Sequence, residues 1–261
     1  MSARIRIDVA GAVGRIHLAR PEKKNALDTQ TVHELVDALI EFEGDDAVRA
    51  VLLRGDGDDF CAGVDLDALS EMLDASLEAH RRDAADLGRV FLTIRGMQKP
   101  VVAAVHGKAL AAGCGLATAC DVLIARDDAQ FGYPEVRIGF IPAMVMNMLR
   151  RSVGEKHSFD LVASGRMINA VEAERIGLAS RVIATAAFDS EVERYVLGLA
   201  SHPMSSMGLT KRLFYRLDLL SFRDGIAEGV TANVEARQTE AFRTGISSHK
   251  RQTPPSTPTS Q

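Results

Sequence analysis

Apolar and polar positions along the chain follow two periods, and the switches between them outline the elements. Residues 4 to 9 and 14 to 18 alternate on either side of the turn "AGAVG", which predicts a β-hairpin. In "DTQTVHELVDALIEFEGDD" the apolar residues Val32, Leu35, Val36, Leu39 and Ile40 recur at helical steps behind Asp28 and Thr29, two capping candidates, so a helix is expected. "AVRAVLLRGDG" is a short apolar strand ending in a glycine turn, and residues 66 to 97 have helical spacing with room for one interruption. "KPVVAAVHG", entered through Pro100, and "CDVLIAR" are apolar runs of strand length. From "PAMVMNMLRRSVG" through "AVEAERIGLASRVI" to "DSEVERYVLGLASH" the pattern is mostly helical. Helices alternating with strands that are apolar on both faces predict an α/β fold around a parallel sheet.

With 261 residues, 46% of them hydrophobic, the chain can bury one large core and carry an appendage. The expected division is a core over 1–200, a helical C-terminal subdomain over 201–250 and a polar, proline-rich tail over 251–261 that should be mobile. Thirty-one basic against 35 acidic residues give a net charge of −4 with neither sign in a block, which points away from nucleic acid and anionic membranes and toward small molecules. Cys61, Cys114 and Cys120 are odd in number and lie in apolar surroundings, as three buried reduced thiols would. The N-terminus has no continuous apolar h-region, so a cytoplasmic location is expected. The most apolar stretch, residues 100 to 125, is broken by His106, Lys108 and several glycines and reads as core rather than a membrane span. No Walker loop, no Gly-x-Gly-x-x-Gly after a strand and no metal-type histidine spacing is present, so neither metal nor bound cofactor is expected.

Three stretches are left as candidates for chemistry. "DFCAGVDLDAL", residues 59 to 69, passes from a strand end through Ala62 and Gly63 into an apolar run of helical spacing, and such a turn can aim a backbone N–H at developing negative charge. "ALAAGCGLATACD", residues 109 to 121, repeats the arrangement with Ala111, Ala112 and Gly113. Two converging N–H donors make an oxyanion hole, but small-residue turns also serve plain packing. In "AQFGYPEVRIGFIPA" Glu135 stands among Phe131, Tyr133, Ile138 and Phe140, where desolvation would raise its pKa as an acid or base near neutrality requires. The plainer alternative is a surface glutamate paired with Arg137. Asp65, Asp121 and His106 read as capping, pairing or core residues.

Taken in order and spacing, these stretches resemble the crotonase superfamily, the enoyl-CoA hydratase/isomerase family. "RPEKKNALD" at 20–28 resembles its early signature, "FCAGVDL" its first oxyanion turn, "KPVVAAVHGKALAAGCGLATACDVLIA" its second and "AQFGYPEVRIGFIP" its catalytic-glutamate loop; "LVASGRMINAVEAERIGLASRVI" and "TEAFRTGI" extend the match, which runs from about 5 to 250. The resemblance implies a ClpP/crotonase-like fold of repeated ββα units with a helical C-terminal region that takes part in assembly, as a homotrimer or dimer of trimers. It implies an acyl thioester of coenzyme A as substrate, the CoA being part of the substrate rather than a cofactor. The thioester oxygen would meet the N–H groups of Val64 and Ala112, with Glu135 as acid and base. Ala62, Gly63, Asp65, Leu66, Gly113, Gly115, Phe140 and Pro142 would border the substrate, and Lys23 and Lys24 would reach the CoA phosphates. Two-carboxylate hydratases of the family carry a glutamate where this chain has Gly115, twenty positions before Glu135. A single glutamate suits moving a double bond better than adding water. "IPAMVMNML", where small residues are usual, points to a tighter, drier pocket that also disfavours hydration. Another enolate reaction on a CoA thioester is an alternative, as is a non-catalytic acyl-CoA-binding or structural member of the fold.

Overall fold

Two strands buried on both faces explain the continuous apolar runs: β3 (Ala50–Gly55) and β4 (Val101–Val105) send alternate residues into two separate cores. Val51, Leu53, Val101, Ala103 and Val105 enter one core, and Ala50, Leu52, Val102 and Ala104 the other. A computed structural model describes residues 3–252 of the chain. The described chain divides into two compact units, one through Ser201 and one from His202.

The first unit opens with the hairpin expected at the N-terminus, β1 (Ile5–Ala10) against β2 (Val13–Leu18), turning at Gly11 with φ 60°. Helix α1 (Thr29–Gly44) follows, capped by Asp28, whose Oδ1 accepts from Thr31 N–H at 2.8 Å. After β3, the expected interruption separates α2 (Leu66–Glu71) from α3 (Leu77–Gly96). Beyond β4 come β5 (Lys108–Leu110), α4 (Ala112–Ala119), β6 (Val122–Arg126) and β7 (Gln130–Gly132). A 3-10 turn over Pro134–Ile138 leads to α5 (Val145–Ser164), then β8 (Met167–Asn169), α6 (Ala170–Arg175), β9 (Arg181–Ile183) and α7 (Phe188–Ala200).

The strands form a six-stranded sheet in the order β1-β2-β3-β4-β6-β9, parallel except for the β1–β2 hairpin, and a three-stranded sheet β5-β7-β8. Leu35, Leu39 and Phe42 of α1 and Val90, Phe91 and Ile94 of α3 fill the larger core; Phe188, Val192 and Val196 of α7 close the smaller one. The parallel α/β arrangement is as expected. The three-residue strands β7, β8 and β9 are not legible as periods, and the strand over Arg181–Ile183 corrects the mostly helical reading of "AVEAERIGLASRVI". Its pairing with β6 supplies backbone partners that a helix there would forgo.

The second unit is helical: α8 (Met204–Arg216), α9 (Phe222–Gln238) and α10 (Glu240–Gln252). The tail expected over 251–261 begins inside α10 at residues 251 and 252, and its remainder lies outside the described residues. No helix among the described residues is long and apolar enough to cross a membrane.

Candidate active site

The turn after β3 is gripped by the segment 20–28. Ala62 N–H donates to the Lys24 carbonyl (2.9 Å), Leu27 N–H to the Gly63 carbonyl (2.7 Å) and Asp65 N–H to the Leu27 carbonyl (2.9 Å). Asn25 Nδ2 donates to the carbonyls of Asp56 (2.8 Å) and Asp59 (2.7 Å). Buried Arg20 ties the two segments together, with Nη2 donating to Asp65 Oδ2 (2.9 Å), Nη1 donating to the Ala26 carbonyl (2.7 Å), and Asp28 Oδ2 3.2 Å away. Within this turn Val64 N–H has no acceptor among the described residues.

The second turn is set by strand pairing. Cys61 bridges β5, donating its N–H to the Lys108 carbonyl (3.0 Å) and accepting Leu110 N–H (2.9 Å). β5 runs parallel to β7, and Ala111 N–H donates to the Gly132 carbonyl at 2.8 Å. Ala111 then adopts φ 49°, ψ −126°, a conformation costly for a residue with a Cβ, and α4 starts at the next residue. As the first residue of α4, Ala112 has an N–H with no intrahelical acceptor, at the end of the helix dipole that favours negative charge. Glycines let the turns meet. A Cβ on Gly63 would lie 2.9 Å from Ala111 Cβ and 3.5 Å from Ala112 N, and one on Gly113 would lie 2.3 Å from the Cys61 carbonyl oxygen.

Glu135 arrives on the 3-10 turn that follows β7. Buried Tyr133 anchors that turn through a 2.9 Å hydrogen bond between its hydroxyl and Thr118 Oγ1, and Thr118 donates to the Cys114 carbonyl (2.7 Å). Glu135 is buried at 8% exposure, and its Oε2 has no hydrogen-bond partner among the described residues. Desolvation by burial raises its pKa above the ordinary carboxylate value. Burial likewise pushes the nearby Cys114 thiol up to about 12, with the charge of Glu135 adding to the rise. Glu135, Val64 and Ala112 border one cavity of about 410 Å3, with Leu69, Leu87 and Met144 among its apolar walls.

Residues 8–256 match the enoyl-CoA hydratase/isomerase family. The chain belongs to that family. It is 37% identical to the crotonyl-CoA hydratase of Syntrophomonas wolfei over 75% of each chain. It is 34% identical to the short-chain-enoyl-CoA hydratase of Clostridium acetobutylicum over 80% of each. The enoyl-CoA hydratase structure from Mycobacterium smegmatis superposes with a TM-score of 0.91 at 31% identity, covering 96% of this chain and 97% of that one. The fold is therefore the crotonase fold.

Of the family positions expected to surround the substrate, Ala62, Val64, Leu66, Ala112, Glu135, Phe140 and Pro142 border the cavity. Gly63 and Gly113 sit behind it, where the turns touch, and Gly115 faces Val145. Asp65 departs from the substrate-binding expectation: it is buried, caps α2 through Asp67 N–H and is held by Arg20. Lys23 Nζ is engaged with Asp67 at 2.6 Å, and the Lys24 carbonyl supports Ala62. Glu135 shows no pairing with Arg137. Among the described residues no cluster of three or more His, Cys, Asp or Glu side chains is arranged for a metal, and the three cysteines are buried and outside any disulfide. His106 Nε2 lies 2.9 Å from the Gly57 carbonyl, and Asp121 Oδ2 accepts Val101 N–H at 2.7 Å, both structural roles. The residues missed from sequence are Arg20 and Asn25, which clamp the first turn, Ala111, and Leu69 and Leu87 of the cavity wall. The helical spacing of α3 held a signal for Leu87; a positive φ at alanine has none.

Proposed function

We propose that this enzyme holds the acyl thioester of a coenzyme A ester in the cavity, with the thioester oxygen between the N–H groups of Val64 and Ala112, and moves a double bond with Glu135 as its single acid and base. The ionised carboxylate removes a proton from C2 of a 3-enoyl thioester. The C–H electron pair spreads onto the thioester oxygen, where each N–H donor is worth about 10²–10³ in rate. Glu135 returns the proton to C4: the C3–C4 π pair forms the new C4–H bond, the C1–C2 π pair of the dienolate moves to C2–C3 and the oxygen's pair restores the carbonyl, leaving a 2-enoyl thioester. The observation that carries this reading is the unpartnered, buried Oε2 of Glu135 in the same cavity as two N–H groups without protein acceptors. Nothing beyond the CoA of the substrate is needed. Lys24, exposed and with no side-chain partner among the described residues, is suited to a CoA phosphate, more so than Lys23, which is already paired.

A second reading, hydration of a 2-enoyl thioester, has support in the names of the relatives and in Asp83, a half-buried carboxylate of α3 that borders the cavity. Supplying purified enzyme with 2-enoyl-CoA and 3-enoyl-CoA separates the two. Rapid double-bond migration lost in Glu135→Gln supports the first; rapid hydration lost in both Glu135→Gln and Asp83→Asn supports the second. An acyl-CoA-binding protein without activity would bind both esters in calorimetry and turn over neither. The reading includes action in the cytoplasm and assembly as a homotrimer or dimer of trimers. The exposed Phe222, Ile226, Val230 and Val234 on α9 suit an assembly surface, and sedimentation equilibrium tests it.

A further inference from the structure

Gly115 and Val145 fit together as hole and knob. A Cβ at 115 would lie 2.0 Å from Val145 Cγ1 and 3.0 Å from Val145 Cβ, so the first residue of α5 seats against α4 only because position 115 carries no side chain. Space alone demands the glycine, since its φ lies outside the left-handed range. Val145 is 4% exposed and borders the cavity together with Glu135. Behind it the wall stays apolar: Phe91 Cζ is 3.6 Å from the same Cβ position, and Met148 and Leu149 are buried. Glu135, whose buried Oε2 is unpartnered among the described residues, borders the same cavity.

A water molecule needs a vacancy of about its own size and two to four polar partners. The polar partners border the cavity, in the Glu135 oxygen and the Ala112 N–H; beside the roughly 410 Å3 that the substrate would take, the room left at Gly115 is filled by the Val145 side chain. We infer that Val145, seated in the space left by Gly115, determines the outcome of the reaction by keeping water from Glu135, so that the proton taken from substrate returns to substrate carbon. The inference rests on the single-base reading above and names the residue that enforces it. Water admitted beside Glu135 would exchange the carried proton with solvent, and it would be placed to add its oxygen at C3 and its proton at C2 of a 2-enoyl thioester.

The test is double-bond migration in D2O, with 3-hexenoyl-CoA as the probe, for the wild type, Val145→Ala and Val145→Thr. The alanine variant opens space, whereas threonine keeps the volume and adds a hydroxyl. In wild type most product should keep the substrate hydrogen at C4. Val145→Ala should incorporate several-fold more deuterium per turnover and yield 3-hydroxyacyl-CoA, and Val145→Thr should move the same way by less. A second readout needs no turnover: the Glu135 carboxyl resonance, assigned with Glu135→Gln, should titrate at lower pH in Val145→Ala as water reaches the group. Unchanged partitioning together with an unchanged titration in folded variants would overturn the inference. If the wild type moves no double bond, the single-base reading fails, and the titration alone still decides whether Val145 keeps Glu135 dry.

Discussion

Around Val64 the chain is held by another segment's polar side chains, with Arg20 reaching Asp65 and Asp28 and Asn25 reaching two carbonyls; around Ala112 it is held by strand pairing, a helix start and the absence of side chains. Each turn ends at a residue, Val64 or Ala112, that borders the same cavity and whose N–H has no acceptor among the described residues. The first is specified by charge and hydrogen bonds, so its weakness is the loss of a partner. The second is specified by volume, so its weakness is the gain of an atom. Buried polar clamps fail by leaving orphaned groups, and close-packed backbone fails by overlap.

Glu135→Gln is the reference perturbation, because it leaves both turns intact. It should lower turnover by about 10²–10⁴-fold in steady-state assays. It should also raise stability at neutral pH: a carboxyl whose folded pKa is raised binds more protons folded than unfolded, so its ionisation costs stability as pH rises above the ordinary value of 4.5. The gain in thermal midpoint should therefore disappear near pH 4. A variant no more stable than wild type at pH 7 would contradict the desolvated state of Glu135.

Arg20→Met attacks the polar turn and should cost about 3–5 kcal/mol in urea denaturation, since Asp65 would lose the partner of a buried ion pair. Asp65 has the opposite pH behaviour to Glu135. Burial alone would raise its pKa, but the hydrogen bonds from Arg20 and Asp67 N–H and the charges of Arg20 and Lys23 lower it overall. Its stabilisation is present above the unfolded value of 3.8 and is lost as pH falls toward and through the folded one, so the first turn should loosen first in acid. A cost below about 1 kcal/mol for Arg20→Met would mean that the clamp is ornamental.

Gly113→Ala attacks the close-packed turn by driving a methyl group toward the Cys61 carbonyl. It should cost about 1–3 kcal/mol in stability and, by parting the two donors, up to about 10²-fold in kcat. If stability falls with kcat unchanged, the two turns do not serve one oxygen. The smallest effect should come from Ala111→Gly. It releases about 1–3 kcal/mol of positive-φ strain and returns about 0.5–1 kcal/mol to the unfolded chain, for a net gain of about 1 kcal/mol with kcat near wild type. A loss of stability would show that the Ala111 methyl, packed at Gly63, matters more than its backbone.

Much of this site was legible beforehand where local pattern and local role coincide. The hairpin, α1 and the buried parallel strands follow from period and burial, and the two turns and Glu135 follow from motif order. What escaped is relational. Arg20 and Asp65 are 45 positions apart, and each looks ordinary until the chain brings them together. Strands of three residues, such as β7 and β9, are too short to show a period and exist through their neighbours' hydrogen bonds.

The amino-acid sequence by itself determined the α/β class, the positions of both small-residue turns, Glu135 as the acid/base candidate and the lack of a carboxylate at Gly115. Those are properties of residue type and spacing, which need no third dimension. Only the tertiary structure decided that Val64 and Ala112 carry free N–H groups at one cavity, that Asp65 is a strut, and that Val145 occupies the room beside Gly115. Hydrogen-bond satisfaction and close packing are relations between distant segments, settled when a donor finds its acceptor or a side chain its hole.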